Sequence, residues 1–131
     1  MDNKIVYSYR TFNVPAGIVR SCKKGGVARV AFRIERPAKD YYGNKYLYKI
    51  SFAFASPVDN FSRRAARSLT DYRAFMASDS NDPHVYKYVC TFESQEKKSI
   101  GYIIDEILDQ MLEGERECPH WLRYATIKKE V

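Results

Sequence analysis

The amino-acid sequence predicts an α+β fold: an antiparallel sheet of four to six strands with two helices packed on one face. Three observations lead to this prediction. Two consecutive stretches, 27–35 and 45–54, alternate apolar and polar residues with a period of two, as half-buried strands do. Two later stretches repeat apolar residues every three or four positions, as amphipathic helices do. No internal repeat, low-complexity tract or Pro/Gly-rich linker divides the sequence, so we expect a single domain over residues 1–131.

The two alternating stretches are expected to form a β-hairpin, with the Gly-Asn pair at 43–44 supplying the positive φ that its turn needs. We expect Ile34 to pair with Tyr46. The same register continues with Phe32 opposite Tyr48, and it gathers the basic side chains of both strands on the outward side. The apolar residues expected on the buried side are Ala28, Val30, Phe32, Ile34, Tyr46, Tyr48, Ile50, Phe52 and Phe54.

Other stretches are expected to complete the sheet. Residues 5–12 are predicted to form a strand, with a partner strand at 17–22 across a turn at 14–16. High β propensity predicts a further strand at 85–92. For residues 121–127 two alternatives stay open: a short strand, or an irregular segment that packs on the core.

The first helix is predicted from residue 60 or 61 to about residue 77, with Asp59 or Asn60 as its N-cap. Its apolar stripe consists of Phe61, Ala65, Leu69, Tyr72 and Met76. The second helix is predicted from residue 99 to about residue 113, with a broad Ile/Leu face and Gly114 as its C-terminal stop.

The composition argues against membrane proteins, exported proteins and metal-binding proteins. No window approaches the roughly 18 consecutive apolar residues of a membrane span, and the first residues lack the long apolar stretch of a secretory signal. We therefore expect a cytoplasmic protein that is not associated with a membrane. The three cysteines, Cys22, Cys90 and Cys118, are odd in number and show no Cys-x-x-Cys spacing, which predicts reduced thiols, no metal site and no cofactor.

Sequence motifs of catalysis are missing. The chain has two histidines and contains no Gly-rich phosphate loop, no Gly-x-Ser-x-Gly elbow and no His-Glu-x-x-His. Its carboxylates fall in the second helix or in turns rather than as a pair within an apolar run. We expect no enzymatic activity and assign no catalytic residue.

Positive charge is concentrated in the first two-thirds of the chain. The formal charge is +6 overall, but residues 1–92 carry +9 and residues 93–131 carry −3. Acidic residues line the side of the second helix opposite its apolar face, namely Asp105, Glu106, Asp109 and Glu113. This side would repel a phosphate backbone, so nucleic acid is expected on the other side of the molecule.

Cations and aromatic rings on the hairpin and the first helix are the candidate contacts for nucleic acid. Lysines and arginines neutralise phosphates, and tyrosines in the hairpin loop can stack on bases. The candidate nucleic-acid-binding residues are Arg29, Arg33, Tyr41, Tyr42, Lys45, Lys49, Arg63, Arg64 and Arg67.

The segment 56–67, Ser-Pro-Val-Asp-Asn-Phe-Ser-Arg-Arg-Ala-Ala-Arg, resembles a pattern in small proteins of phages and integrated mobile elements. In that pattern an apolar strand leads into Pro-x-Asp-x-Phe and then a basic helix with a Gly/Ala-Arg step. The sequence departs from it at Ala66, where glycine is expected. The resemblance implies an accessory protein of a phage or mobile element acting inside a bacterium, and it carries over no functional residue.

The leading functional expectation is a non-enzymatic accessory protein that binds single- or double-stranded nucleic acid through a basic sheet face and a basic helix. The alternative is a phage-type protein that inhibits or modulates a host protein, such as a nuclease or a defence component. A third alternative is a homo-oligomer assembled through an edge of the Tyr-rich strands.

Overall fold

A five-stranded antiparallel sheet forms the centre of the computed structural model, which describes residues 4–20, 23–36, 45–79 and 85–127. Its strands lie in the order β4-β3-β2-β1-β5. Their bounds are Lys4–Val14 for β1, Gly26–Arg36 for β2, Tyr46–Ala55 for β3, Val89–Ser94 for β4 and Thr126–Ile127 for β5. The α+β class, the antiparallel sheet and the number of strands are confirmed.

Strands β2 and β3 alternate as the sequence predicts, but their register differs from the predicted one. Phe32 and Ile34 are buried on one side. Ile34 lies opposite Ile50 and not opposite Tyr46, and Phe32 lies opposite Phe52. The prediction of register was wrong because alternation decides only which side a residue faces, and a shift by an even number of residues preserves every side. The predicted turn at 43–44 lies outside the described residues.

The second helix, α2, spans Ile100–Leu112 and packs on the side of the sheet that carries Phe32 and Ile34. Ser99 is its N-cap, and its Oγ accepts a hydrogen bond from the backbone N–H of Tyr102 at 3.2 Å. Five of its side chains are buried against the sheet: Ile103, Ile104, Ile107, Leu108 and Met111. This helix and its apolar face are as predicted.

The first helix, α1, spans Arg63–Asp79 and packs on the opposite face of the sheet. There the strands present small side chains, including Ala31, Ser51 and Ala53. The Oγ of Ser51 donates to the backbone carbonyl of Thr70 at 2.7 Å. The prediction that both helices share one face is therefore wrong. The arginines on this side suggested a solvent-exposed face, but its small residues leave room for a helix.

The side of α1 that contacts the sheet is not the predicted apolar stripe. Ala66 and Thr70 are buried, whereas Leu69 is 40% exposed and Tyr72 is 60% exposed. The N-cap also differs from Asp59 or Asn60. Ser62 accepts from the backbone N–H of Ala65 at 3.3 Å.

Three further elements depart from the sequence prediction or resolve it. Strand β1 pairs directly with β2, from Lys4 opposite Arg36 to Val14 opposite Gly26. The predicted partner strand at 17–22 is wrong for residues 17–20, which belong to no strand, and residues 21–22 lie outside the described residues. The strand predicted at 85–92 is only partly observed: residues Val85–Tyr88 form a 3-10 helix, and β4 begins after it. In the C-terminal segment a 3-10 helix over His120–Tyr124 is followed by β5, which pairs with β1. None of the helices in the described part of the chain has the length and apolar character that crossing a membrane requires.

Candidate functional site

Arginines and aromatic rings interleave where one flank of α1 meets β1 and β2. The sheet register sets Tyr7 opposite Arg33 and Tyr9 opposite Ala31, on the face that α1 covers. We call this area the arginine–aromatic surface. Its members are Tyr7, Tyr9, Arg29, Arg33, Phe61, Arg63, Arg67 and Asp71.

Three guanidinium groups lie over aromatic rings of this surface. The Cζ of Arg63 is 5.0 Å from the ring centroid of Tyr9. The Cζ of Arg67 is 5.0 Å from that of Tyr7, and its Nε donates to the hydroxyl of Tyr9 at 3.0 Å. The Cζ of Arg29 is 4.8 Å from the ring centroid of Phe61. Each exposed cation–π contact contributes roughly 0.5–1 kcal/mol, so the side chains are held in defined positions.

Asp71 is the acidic member of the surface. Its Oδ1 accepts from the Tyr7 hydroxyl at 2.6 Å and from the Nε of Arg33 at 2.8 Å. Arg33 also lies 3.9 Å from a carboxylate oxygen of Glu35, and its side chain is only 14% exposed. Burial, followed by the hydrogen bond to Asp71 and its negative charge, raises the pKa of Tyr7. The positive charge of Arg33 is thus paired with carboxylates of the protein itself, those of Asp71 and Glu35.

The other arginines of the surface differ from Arg33 in their partners. Within the described part of the chain, neither Arg29 nor Arg63 nor Arg67 forms an ion pair with a carboxylate. Stacking on a ring orders a guanidinium group but leaves its positive charge in place. Arg64 is exposed one position along α1, and the first turn of this helix contains no acidic residue. The result is a cluster of ordered and uncompensated cations.

The structure brings together only part of the predicted set of binding residues. Lys45 lies towards the β4 edge, where its Nζ is 3.8 Å from a carboxylate oxygen of Glu93. Lys49 lies opposite Glu35 and lines a cavity of about 440 Å³ under the C-terminal half of α1. The expected outward basic face of the hairpin is therefore wrong for Arg33, which α1 covers, whereas Lys49 stays exposed and lines the same cavity as Arg33. Tyr41 and Tyr42 lie outside the described residues.

Tyr7, Tyr9, Phe61 and Asp71 belong to the site although the sequence analysis did not select them. Tyr7 and Tyr9 are two positions apart in a strand, so they share a side. Asp71 follows Arg67 by four positions in a helix, so the two are neighbours on its surface. These spacings could have identified the residues, but only once α1 was known to cover that side of the sheet.

The neighbourhood of Cys118 and His120 is occupied by local contacts. The Sγ of Cys118 donates to the backbone carbonyl of Met111 at 3.8 Å, and the ring of His120 packs edge-on against Tyr124 at 5.0 Å. In the described ranges no group of three or more His, Cys, Asp or Glu side chains is arranged to hold a metal ion.

No protein-family model matches the chain. No curated protein is significantly similar to it, and no solved structure matches its fold significantly.

Proposed function

We propose that this protein binds nucleic acid, without enzymatic activity, through the arginine–aromatic surface. The observation that carries the proposal is the set of three ordered guanidinium groups over Tyr7, Tyr9 and Phe61, all of them without a carboxylate partner among the described residues. An ordered arginine loses little conformational freedom when it binds a phosphate, and its planar fork fits phosphate oxygens.

The aromatic rings add a second reason. In single-strand binders, bases stack on aromatic rings and on arginine guanidinium planes. The guanidinium groups of Arg63 and Arg67 each have one side against a tyrosine ring. Their other side can take a base, while their N–H groups contact the backbone. Double-stranded nucleic acid would use the phosphate contacts alone.

The charge on the two helices supports a single binding side. The outward side of α2 carries exposed acidic residues, among them Asp105, Asp109 and Glu113. Helix α2 and helix α1 lie on opposite faces of the sheet. A polyanion is therefore attracted to the α1 side and repelled from the α2 side.

Neutralising the start of α1 is the direct test. In the variant Arg63→Gln/Arg64→Gln/Arg67→Gln, the magnitude of the slope of log K against log salt concentration should fall by about 0.7–0.9 per lost phosphate contact. Affinity should fall alike for all sequences, because phosphate contacts carry no base information. Fluorescence anisotropy with mixed-sequence oligonucleotides, single-stranded and duplex, measures both quantities.

Two further variants make the test specific. Lys97→Gln/Lys98→Gln/Arg123→Gln removes the same net charge outside the arginine–aromatic surface and should leave the salt slope nearly unchanged. Asp71→Asn removes the one negative charge of the arginine–aromatic surface, while Arg33 keeps Glu35 at 3.9 Å, and it should strengthen nucleic-acid binding at low salt because it removes a group that repels phosphates. Equal losses in the two charge-removal variants would contradict the proposal, and so would wild-type binding no tighter than millimolar at low salt.

The setting that we propose is the cytoplasm of a bacterium carrying a phage or mobile element. The sequence resemblance of residues 56–67 supports it. A polyanion-binding accessory protein fits such a setting, since the DNA and RNA of both the element and its host are present there.

Binding of a host protein is a second candidate function, and a separate observation favours it. The outward side of α1 exposes large apolar side chains: Leu69, Tyr72 and Phe75 are 40%, 60% and 65% exposed. Exposed apolar patches mark many protein interfaces, where aromatic residues and arginine are enriched. The variant Tyr72→Ser/Phe75→Ser separates the two functions. It should keep nucleic-acid binding with an unchanged salt slope, and it should lose capture of a host protein from nuclease-treated lysate.

A further inference from the structure

Arg73 lies on the other flank of α1, away from the arginine–aromatic surface. Its Nη1 donates to the backbone carbonyl of Phe52 at 2.7 Å. Its Cζ lies 3.7 Å from the ring centroid of Tyr88, so the guanidinium group is stacked on that ring. Both contacts hold the group in one orientation.

This half-buried cation has no carboxylate partner within the described residues. Its nitrogens are not among the buried atoms that lack a partner, so N–H groups that do not bind Phe52 are open to a ligand from the cavity side. Burial lowers the pKa of Arg73, which reflects the cost of keeping the charge there. Of the five N–H groups of a guanidinium, one is used by Phe52, and the others find no acceptor in the described ranges.

Arg73 borders a cavity of about 300 Å³ between α1, the 3-10 helix Val85–Tyr88 and the segment that follows α2. The cavity has a second cation, Lys87, whose Nζ lies 3.5 Å from a carboxylate oxygen of Glu117 at the rim. Two cations therefore face one carboxylate. Phe54 and Pro119 supply apolar walls next to the charged groups.

We propose that this cavity binds a small molecule that carries a phosphate group beside a flat ring. The phosphate lies on the free N–H groups of Arg73, with Lys87 as the second cation. The ring packs between Phe54 and Pro119. Arginine contacts phosphate oxygens in pairs through its planar fork, and the cavity volume is at the lower end of that of small-molecule sites.

The site is independent of the proposed nucleic-acid surface. Arg73 contacts β3 and the 3-10 helix, whereas Arg63 and Arg67 contact β1. Lys87 lies outside α1, so Lys87→Gln leaves the arginine–aromatic surface in place, and failure of one proposal is distinguishable from failure of the other.

A ¹H–¹⁵N NMR titration tests the site with phenyl phosphate, inorganic phosphate and phenol as probes. Phenyl phosphate is expected to bind the wild-type protein and to shift the signals of Arg73 and Tyr88. Arg73→Gln should weaken binding by about tenfold or more, the effect of losing hydrogen bonds to a charged group. Arg73→Lys keeps the charge but loses the planar fork, so its affinity for phenyl phosphate should lie between that of the wild-type protein and that of Arg73→Gln. Phenol, which lacks the phosphate, should not bind.

Arg73→Gln removes a hydrogen bond to the sheet, so a second variant guards against loss of the fold. Lys87→Gln changes a side chain that is 43% exposed and should also weaken phenyl phosphate binding. The control Lys97→Gln changes an exposed cation that belongs neither to this cavity nor to the arginine–aromatic surface, and it should leave binding unchanged. Wild-type affinity retained by both Arg73→Gln and Lys87→Gln would overturn the proposal, as would equal affinity for phenyl phosphate and inorganic phosphate.

Discussion

Replacing Phe32 with alanine is expected to lower the free energy of unfolding by about 3–5 kcal/mol. Phe32 is 1% exposed and lies in the middle of the face that α2 covers, with its ring 6.2 Å from that of Phe52 on the neighbouring strand. The large loss has two causes. The variant lacks the apolar ring whose transfer from water to the core stabilises the fold, and the surrounding side chains cannot fill the cavity that remains. Urea denaturation followed by circular dichroism measures the change.

Leu47→Ala is the control for this prediction. Leu47 belongs to β3, next to Phe32's strand, but it faces the other side of the sheet and is only partly buried. Its truncation should cost clearly less than that of Phe32. If the two substitutions destabilised the protein equally, the core would not be one-sided at this place, and the separation of α1 and α2 would be in error.

Gly25→Ala is expected to have the second large effect on stability. Gly25 has a φ of 76°, and an added Cβ would lie 2.4 Å from the carbonyl oxygen of Val14 and 2.9 Å from the backbone nitrogen of Ala16. The strained backbone alone costs on the order of 1–3 kcal/mol. The clash adds to it because its partners are backbone atoms where β1 turns towards β2, and they cannot rotate away.

Gly17→Ala separates strain from clash. Gly17 has a similar φ of 85°, but an added Cβ meets no atom within 4 Å. This variant should lose only the conformational part of the energy. Thermal unfolding of both variants gives the comparison, and a Gly25→Ala variant no less stable than Gly17→Ala would contradict the close approach of this loop to the end of β1.

The sequence predicted those elements whose pattern is strong and local. The predicted bounds of β2 and α2 nearly equal the observed ones, because each element places apolar residues on one side at the period of its own structure. The placement of α1 could not be predicted in this way. Its contact with the sheet is made by small and polar residues such as Ala66 and Thr70, and these give no apolar stripe.

The candidate site was predicted in part for the same reason. Arg29, Arg63 and Arg67 were selected from charge alone, and the structure brings them close to one another. Charge does not reveal a partner distant in sequence. The pairing of Arg33 with Asp71, 38 positions later, follows from the packing of α1 on the sheet, and that packing depends on tertiary structure.

Helix α1 buries little apolar surface against the sheet, and this affects which conformations of the protein are populated in solution. Helix α2 buries five large apolar side chains, whereas the described part of α1 buries Ala66 and Thr70. Hydrophobic stabilisation follows the apolar area removed from water, so we expect α1 to detach as a local unit at a lower free energy than global unfolding. Each such opening separates Arg63 and Arg67 from their tyrosines. The fraction of molecules with an assembled surface is thus set by this local equilibrium, and a polyanion that binds only the assembled form shifts it towards the closed helix.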